Sequence, residues 1–568
     1  MDEVDLVAVG IGGVQRFITE SASTADVANS SLIVQRLAER GAQWVAERWE
    51  SPYGLIFPVL DDASGGVTSK IVFRAPADEG ASAAVEVQEA ISQWWESAVE
   101  ACFGRPQPTP GFPDLWWAAV TGSATDDLGL WRRLEGLVAA RRRSRLFRPL
   151  TESGVWPCTL APQLPSVTVP DGAWRHEWRD RLSAAGWVKR TYGRNTGAGA
   201  VRSTLSIAST AYRVALLENP PDDLIDQVSI LARLAGEFTG RRNGPAAEDA
   251  VRAAPEALRP LATQLGVWVF PQAWEPERLR REYGTAATVE RVTAGCAAAQ
   301  QIQNIANSAG IRAPSPYYAV VMQDLDRLGR SFGRLSAEAQ RMVSRRLVAV
   351  GRAQRDAIVT ARFPGVAVYT GGDDVLAFCP AAQALPLAKT LRGLVDTHLG
   401  DELPTGRITA STAVVFAHMM APLQSVLTLG RRAMNDAKNT PAADGTTRDA
   451  LAVVTTTRAG ERTCSVQPWS VDPVGLWEGL RPGPAILSAG LAEQLERDGP
   501  ELSDLAADPG LQGTLVAELG RLVGRRGGGP AQAHAVYRLA RNERTAGAAG
   551  FRPVPSLLVA QFLARECQ

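Results

Sequence analysis

The chain has 568 residues, which is too long for one hydrophobic core and predicts three or four domains. Hydrophobic residues make up 45% of it, and 60 basic side chains balance 60 acidic ones, as in a soluble globular protein. The acidic start and the lack of any run of about eighteen apolar residues predict neither a signal peptide nor a membrane span. We therefore expect a cytoplasmic protein with no membrane partner. Six widely separated cysteines form neither a Cys-x-x-Cys zinc motif nor a disulfide framework.

The amino-terminal part of the chain predicts a compact βα-hairpin unit, which we assign to residues 1–125. Its turn between the two hairpin strands carries Asp61 and Asp62, but the first strand lacks the Asp-x-Asp partner of the later unit, so we expect no metal centre here. The predicted elements are a strand, a helix, two strands and a helix, at residues 4–10, 14–50, 53–60, 67–74 and 83–103.

Residues 126–314 predict a mainly helical middle domain, with amphipathic helices at 205–217 and 224–238. The densest basic patch of the chain includes Arg141, Arg142 and Arg143. Arginines in such a patch can contact RNA phosphates without reading the base sequence. The alternative is a solvated helix face, which is the more common role of a charge run.

A second βα-hairpin unit is predicted over residues 315–475. An apolar strand ends in Asp324-Leu325-Asp326, a helix is predicted at 337–359, and a Gly-Gly-Asp-Asp hairpin follows. Two similar units indicate an internal duplication. We predict an α+β fold with two ferredoxin-like palm domains of the nucleotide cyclase kind, an intervening helical domain, and a carboxyl-terminal helical domain at residues 476–568.

The acidic residues of the second unit have a chemical consequence. If the strand and the hairpin are neighbours, Asp324, Asp373 and Asp374 converge and repel one another unless cations lie among them. Hard carboxylate oxygens suit Mg²⁺ or Mn²⁺, so the sequence predicts a metal site for phosphate chemistry. The alternative is a solvated hairpin turn, because glycine and aspartate are common in turns.

At these residues the chain resembles the large palm-domain subunit of type III CRISPR effector complexes, most closely the Cmr (III-B) branch. The best matching run is Tyr-Thr-Gly-Gly-Asp-Asp-Val-Leu-Ala-Phe at 369–378. Further matching segments follow the same order along the chain, at residues 10–18, 24–32, 317–326, 408–418, 433–438 and 448–453.

This resemblance implies an enzyme that makes a cyclic oligoadenylate-type second messenger from ATP with two Mg²⁺ or Mn²⁺ ions, in antiviral defence. It implies activation by target RNA inside a guide-RNA ribonucleoprotein. The implied protein partners are a small helical subunit and the subunit that binds the end of the guide.

The resemblance also implies roles for individual residues. Asp324, Asp373 and Asp374 would be catalytic residues and metal ligands, and the Leu325 carbonyl would complete the metal shell. Asp326 is a second choice as a ligand. The implied nucleotide-binding residues are Gly371, Gly372, Ser411 and Lys438. For Lys438 the alternative role is that of a cation favoured at a helix carboxyl terminus.

Many members of the family carry an HD nuclease, whose metal site requires a His-Asp pair. None of the four histidines of this chain is followed by aspartate. The sequence therefore predicts no HD nuclease domain and no cleavage of single-stranded DNA by the pure protein.

Two other functions remain open at this stage. The chain would be a silent scaffold of the guide complex if loss of Asp373 and Asp374 left both assembly and immunity intact. It would be a stand-alone nucleotide cyclase if the isolated protein made product without RNA.

Overall fold

The computed structural model describes most of the chain. The described residues are 3–50, 52–60, 68–143, 156–173, 177, 179–196, 201–236, 238, 254–360, 362, 364–400, 406–442, 444–457, 460–481, 489–544 and 551–567.

Ten strands are described, and they form two sheets. They are β1 (Glu3–Gly12), β2 (Gly54–Phe57), β3 (Lys70–Pro76), β4 (Asp114–Ser123), β5 (Tyr317–Leu325), β6 (Val366–Thr370), β7 (Asp374–Pro380), β8 (Ala410–His418), β9 (Ala450–Thr457) and β10 (Gly460–Pro468).

The helices of the described residues fall into three groups along the chain. Around the first sheet lie α1 (Val14–Thr19), α2 (Thr24–Arg48), α3 (Gly80–Phe103), α4 (Asp127–Arg143) and α5 (Ala184–Asn195). The middle group is α6 (Thr204–Ala208), α7 (Thr210–Glu218), α8 (Leu224–Gly236), α9 (Arg259–Thr263), α10 (Pro276–Tyr283) and α11 (Val289–Ser308).

The remaining helices belong to the second sheet and the carboxyl-terminal part. Those of the second sheet are α12 (Leu328–Phe332), α13 (Ala337–Val359), α14 (Ala384–Leu399) and α15 (Leu423–Asn439). The carboxyl-terminal helices are α16 (Pro473–Leu480), α17 (Ala489–Arg497), α18 (Gly499–Ala507), α19 (Gln512–Gly524), α20 (Pro530–Asn542) and α21 (Val554–Glu566).

The first sheet is antiparallel, with the strand order β2-β3-β1-β4. Apart from the buried Asp5, strand β1 has apolar side chains on both faces, and both faces are buried. One face packs against α2, α3 and α5, and the other packs against α4. A βαββαβ chain with this strand order is a ferredoxin-like fold.

The second sheet repeats this arrangement and extends it. Its order is β10-β9-β8-β5-β7-β6, so that β8, β5, β7 and β6 correspond to the four strands of the first sheet. Strand β9 then runs parallel to β8, and α15 connects the two. The predicted α+β class and the two ferredoxin-like sheets are confirmed.

Helices cover both faces of the second sheet. One face packs against α14 and the carboxyl-terminal helices, and the opposite face packs against α15 and the middle helices. Because both faces are covered, the central strands are mostly apolar, and every residue of β8 is buried.

The two palm domains are in direct contact through a shared hydrophobic core. Phe57 of β2 packs edge-on against Phe332 of α12 with ring centroids 5.4 Å apart. The Val59 amide donates to the Ser344 hydroxyl at 2.9 Å, and Asp127 accepts a hydrogen bond from the Ala337 amide at 2.8 Å. Helix α13 is therefore attached to the first palm along its amino-terminal half.

Two predicted helices are each divided in the structure. The predicted helix at 14–50 is α1 followed by α2, because Ser23 and Asp26 form a capping box that begins a new helix. The predicted helix at 205–217 is broken at Ser209, whose hydroxyl donates to the Gly266 carbonyl at 2.6 Å. The predicted turn with Asp61 and Asp62 lies outside the described residues. None of the helices in the described part is long and apolar enough to cross a membrane.

Candidate active site

A glycine turn presents two carboxylates at the end of the β6–β7 hairpin. Gly372 has a φ of 86°, a left-handed conformation that side chains other than glycine rarely adopt. The Gly371 amide donates to the Asp374 carbonyl at 3.0 Å, which closes the turn. Asp373 and Asp374 therefore stand at the tip of the hairpin.

Helix α13 packs backbone against backbone on this turn. A Cβ atom at Gly351 would lie 2.7 Å from the Thr370 carbonyl oxygen, closer than real Cβ contacts. A Cβ atom at Gly372 would collide with the carbonyl of Leu347. Glycine is required at both positions, and the close contact fixes the hairpin on the helix.

The end of β5 lies beside the hairpin tip. Asp324 is the register partner of Asp374 in the antiparallel pair, so both side chains lie on the same face of the sheet. The Leu325 amide donates to the Asp373 carbonyl at 2.8 Å. The structure thus brings together the three acids that the sequence selected from positions about fifty residues apart.

The electrostatics of the two hairpin carboxyls are unfavourable without a cation. Burial and the nearby Asp324 charge raise the pKa of Asp373 to about 6. Burial and the charges of Asp373 and Asp324 raise the pKa of Asp374 well above its usual range. Both residues have an Oδ1 atom that is shielded from solvent and has no hydrogen-bond partner among the described residues.

Tyr369 is a site residue that sequence reasoning missed. The sequence places it at the end of a strand and gives it no chemical role, but its hydroxyl forms a hydrogen bond with Asp374. The same hydroxyl fills the space beside Gly371 where a Cβ atom would lie. A tyrosine two positions before a Gly-Gly-Asp-Asp turn was the available signal.

Asp326, the second choice as a metal ligand, has a different role. It is buried and accepts hydrogen bonds from the Thr409 hydroxyl at 2.7 Å, the Ser411 hydroxyl at 2.8 Å and the Asp449 amide at 3.0 Å. The Arg448 guanidinium lies 3.5 Å away. These donors occupy its oxygens, so Asp326 joins the ends of three strands.

Ser411 and Lys438, which the resemblance associates with the nucleotide, are placed differently from each other. Ser411 is fully buried, and its hydroxyl faces Asp326, so it does not line an open surface. Lys438 is in the last turn of α15, and its ammonium is hydrogen-bonded to the Asp324 carboxylate. A helix carboxyl terminus favours a cation, so both roles considered for Lys438 fit its location.

The residues at the hairpin fit a divalent cation that shares its shell with a substrate. No group of three or more His, Cys, Asp or Glu side chains is arranged to hold a metal within the described ranges. Asp373 and Asp374 nevertheless each have a carboxylate oxygen without a hydrogen-bond partner among the described residues. Two carboxylates plus substrate phosphates are the usual ligand set of Mg²⁺.

The basic patch lies away from the hairpin strands, on the first palm. Arg141, Arg142 and Arg143 are the exposed last residues of α4. The Arg142 guanidinium lies 5.1 Å from the ring centre of Trp116, a cation–π contact with β4. Their geometry is compatible with either role considered for this patch.

Two ferredoxin-like sheets, one of which carries an acidic glycine hairpin, define a protein with two palm domains. Residues 317–452 match the family model described as the second palm domain of Cas10/Cmr2. The second palm is therefore of the Cas10/Cmr2 type, and the predicted resemblance to the large subunits of type III CRISPR complexes is confirmed.

One curated relative is a Cmr protein. A CRISPR system Cmr subunit Cmr2 from Pyrococcus furiosus is 27% identical over 188 residues, which cover 28% of this chain and 20% of that protein. The match thus spans about a fifth of the length of this curated relative.

Two solved structures share the fold of nearly the whole chain. One is a type III-B Cmr-beta complex bound to cognate target RNA, with a TM-score of 0.62, 13% identity, and coverage of 92% of this chain and 78% of that one. The other is the apo state of Cmr-beta, with a TM-score of 0.61, 12% identity, and coverage of 99% and 81%. At sequence identities this low, the likeness shows a shared fold and nothing more.

Proposed function

We propose that the chain is the large subunit of a type III CRISPR effector complex that makes a cyclic oligoadenylate-type messenger from ATP when target RNA binds. The observation that carries the proposal is the convergence of Asp324, Asp373 and Asp374 in a Cas10/Cmr2-type palm, with two carboxylate oxygens left unpaired. A merely structural turn would not retain two carboxyls whose Oδ1 atoms are shielded from solvent and unpaired, because such atoms oppose folding.

The proposed reaction joins two ATP molecules. A ribose hydroxyl of one attacks the α-phosphorus of the other, a new O–P bond forms, the bond to the β-phosphate oxygen breaks, and pyrophosphate leaves as the hydroxyl proton is lost. When bound, Mg²⁺ or Mn²⁺ neutralises the charge that develops on the phosphate oxygens. Asp373 and Asp374 would hold the cation, with Asp324 as a further ligand.

The other residues of the site have supporting roles. Gly371 and Gly372 are buried against Tyr369 and the Leu347 carbonyl, so they would act by holding the turn that presents the two carboxylates. Lys438 lies beside Asp324 and can reach a triphosphate bound there. The first palm contacts α13, and α13 packs on the hairpin turn. RNA binding elsewhere in a complex would therefore act on the site through α13.

The test is turnover of radiolabelled ATP with Mg²⁺ or Mn²⁺ by the complex assembled on guide RNA, with and without target RNA. The variant is Asp373→Ala/Asp374→Ala. Its matched control is Asp222→Ala/Asp223→Ala, an exposed acidic pair in the loop between α7 and α8. We expect product only with target RNA. The hairpin variant should lose activity by at least about a thousandfold, and the control variant should lose no activity.

Each outcome selects one function. Absence of product from a properly assembled wild-type complex would replace the proposal with a scaffold role. Product formed equally well without guide and target RNA would instead indicate a stand-alone cyclase.

A further inference from the structure

Lys438 has two possible partners at the candidate site, which are the Asp324 carboxylate and the triphosphate of a bound nucleotide. Its ammonium is hydrogen-bonded to Asp324 Oδ1, and the side chains of the pair are only 20% and 41% exposed, respectively. It belongs to a set of only four lysines in a chain whose other cationic side chains are arginines. A lysine ammonium is a compact charge on a flexible four-carbon stem, so it can change partners where a rigid guanidinium cannot.

The ammonium neutralises the Asp324 carboxylate and leaves the Oδ1 atoms of Asp373 and Asp374 without a hydrogen-bond partner among the described residues. Asp326 is already bound by its own donors, so Asp324, Asp373 and Asp374 are the acids available to a cation. Lys438 therefore donates no hydrogen bond to the Oδ1 atoms of Asp373 and Asp374. The described residues contain no group of three or more His, Cys, Asp or Glu side chains placed to hold a metal.

We propose that the Lys438 ammonium and a divalent cation compete for the Asp324 carboxylate. As a result, the cation binds strongly only together with a triphosphate. A triphosphate offers the ammonium several anionic oxygens, which frees Asp324 for the cation. Lys438 thereby couples occupation by metal to occupation by nucleotide. The inference rests on the proposed function only in the identity of the nucleotide, because the competition itself involves this chain and the metal alone.

The experiment is titration of the full-length protein with Mn²⁺, followed by electron paramagnetic resonance, without any nucleotide. Lys438→Met removes the charge and keeps an unbranched apolar stem, and Lys438→Gln provides a second variant. The matched control is Lys389→Met, because Lys389 forms an exposed ion pair with Asp472 at 2.8 Å on a different helix. Circular dichroism spectra verify that each variant is folded.

We expect both Lys438 variants to bind Mn²⁺ about tenfold more tightly than wild type, since a cation beside the metal is removed. The Lys389 variant should bind as wild type does. Adding Asp373→Asn/Asp374→Asn to Lys438→Met should abolish the tight binding, which assigns it to the hairpin.

Equal or weaker Mn²⁺ binding by the Lys438 variants would overturn the inference and leave the proposed synthesis untouched. The same holds if the tight binding survives loss of Asp373 and Asp374. A third outcome separates the two proposals. If both Lys438 variants bind Mn²⁺ more tightly but the assembled wild-type complex turns over no ATP, the competition for Asp324 is supported and the proposed function is refuted.

Discussion

Two aspartates at the end of β5, two positions apart, have opposite environments. Asp326 is buried and receives three hydrogen bonds, and Asp324 lies at the partly exposed site edge with Lys438. Strand alternation predicts the same face for both, and it does not separate their roles. The donors to Asp326 come from more than eighty residues further along the chain, so only the folded molecule distinguishes the metal candidate from the structural acid.

At the residue scale, the hairpin acids predict a pH-dependent stability in metal-free buffer. The pKa of Asp373 is raised to about 6, so the folded state binds its proton more tightly than the unfolded state does. That stabilisation is present at acidic pH and is lost as the pH rises through about 6. From about pH 5 to about pH 8, wild type should lose at least about 1 kcal/mol more than Asp373→Asn.

The measurement is urea unfolding of both proteins at the two pH values with a chelator present. Saturating Mg²⁺ should remove most of the difference, because the metal binds the deprotonated carboxylates. Identical pH dependence of wild type and variant would show that the Asp373 carboxyl titrates normally.

At the element scale, α13 joins the first palm to the hairpin. Its amino end is hydrogen-bonded to Asp127 of α4, and Arg341 donates to the Leu55 carbonyl at 2.9 Å. About three turns further along, Gly351 packs on Thr370 and Gly372. A displacement of α13 by the first palm would therefore move the carboxylates at the hairpin tip.

Gly351→Ala should weaken this contact. Alanine improves helix propensity by about 1 kcal/mol, but its Cβ atom would lie 2.7 Å from the Thr370 carbonyl oxygen, so we expect net destabilisation of about 1–3 kcal/mol. Mn²⁺ affinity at the hairpin should fall as well.

The matched control is Gly393→Ala in α14 of the same palm, where an added Cβ atom meets no heavy atom within 4 Å. It should stabilise the protein slightly. Thermal unfolding and Mn²⁺ titration of both variants test the prediction, and a Gly351→Ala protein as stable as the Gly393→Ala protein would refute the close helix–hairpin contact.

At the scale of the whole molecule, the carboxyl-terminal helices are attached to the second sheet by a buried acid. Glu543 accepts hydrogen bonds from the Ser465 hydroxyl, the Val466 amide, the Gln467 amide group and the Ser556 hydroxyl, at 2.6–2.8 Å. This network connects β10 with the helices α20 and α21. The second sheet therefore contacts the first palm domain at one edge and the carboxyl-terminal domain at the other edge.

Glu543 gives this attachment a pH dependence. Burial raises its pKa to about 7 despite four donors, so the folded state retains the proton that the unfolded state releases. Stability should fall as the pH rises through about 7, by about 2–3 kcal/mol between about pH 5 and about pH 8. Glu543→Gln should be much less sensitive to pH. Pulse proteolysis in urea at both pH values measures this, and an unchanged pH profile in the variant would contradict it.

The sequence by itself determined the local features of this protein. Helix spacing predicted α13 with the bounds that the structure has, and the glycine turn with its flanking strands predicted the β6–β7 hairpin. The order of strand, helix and hairpin in each half predicted two ferredoxin-like sheets. These features depend on neighbouring residues, whose periodicity and turn chemistry are visible in the chain.

Tertiary structure alone decided how these pieces meet. The pairing of Lys438 with Asp324, the burial of Ser411 against Asp326, and the hydrogen bond from Tyr369 to Asp374 join residues on different elements or across a turn. Helices α4 and α5, in the segment predicted as the middle domain, pack on the first sheet. Which partner a side chain meets depends on the register and packing of distant elements, and a single sequence does not encode these contacts in any local pattern.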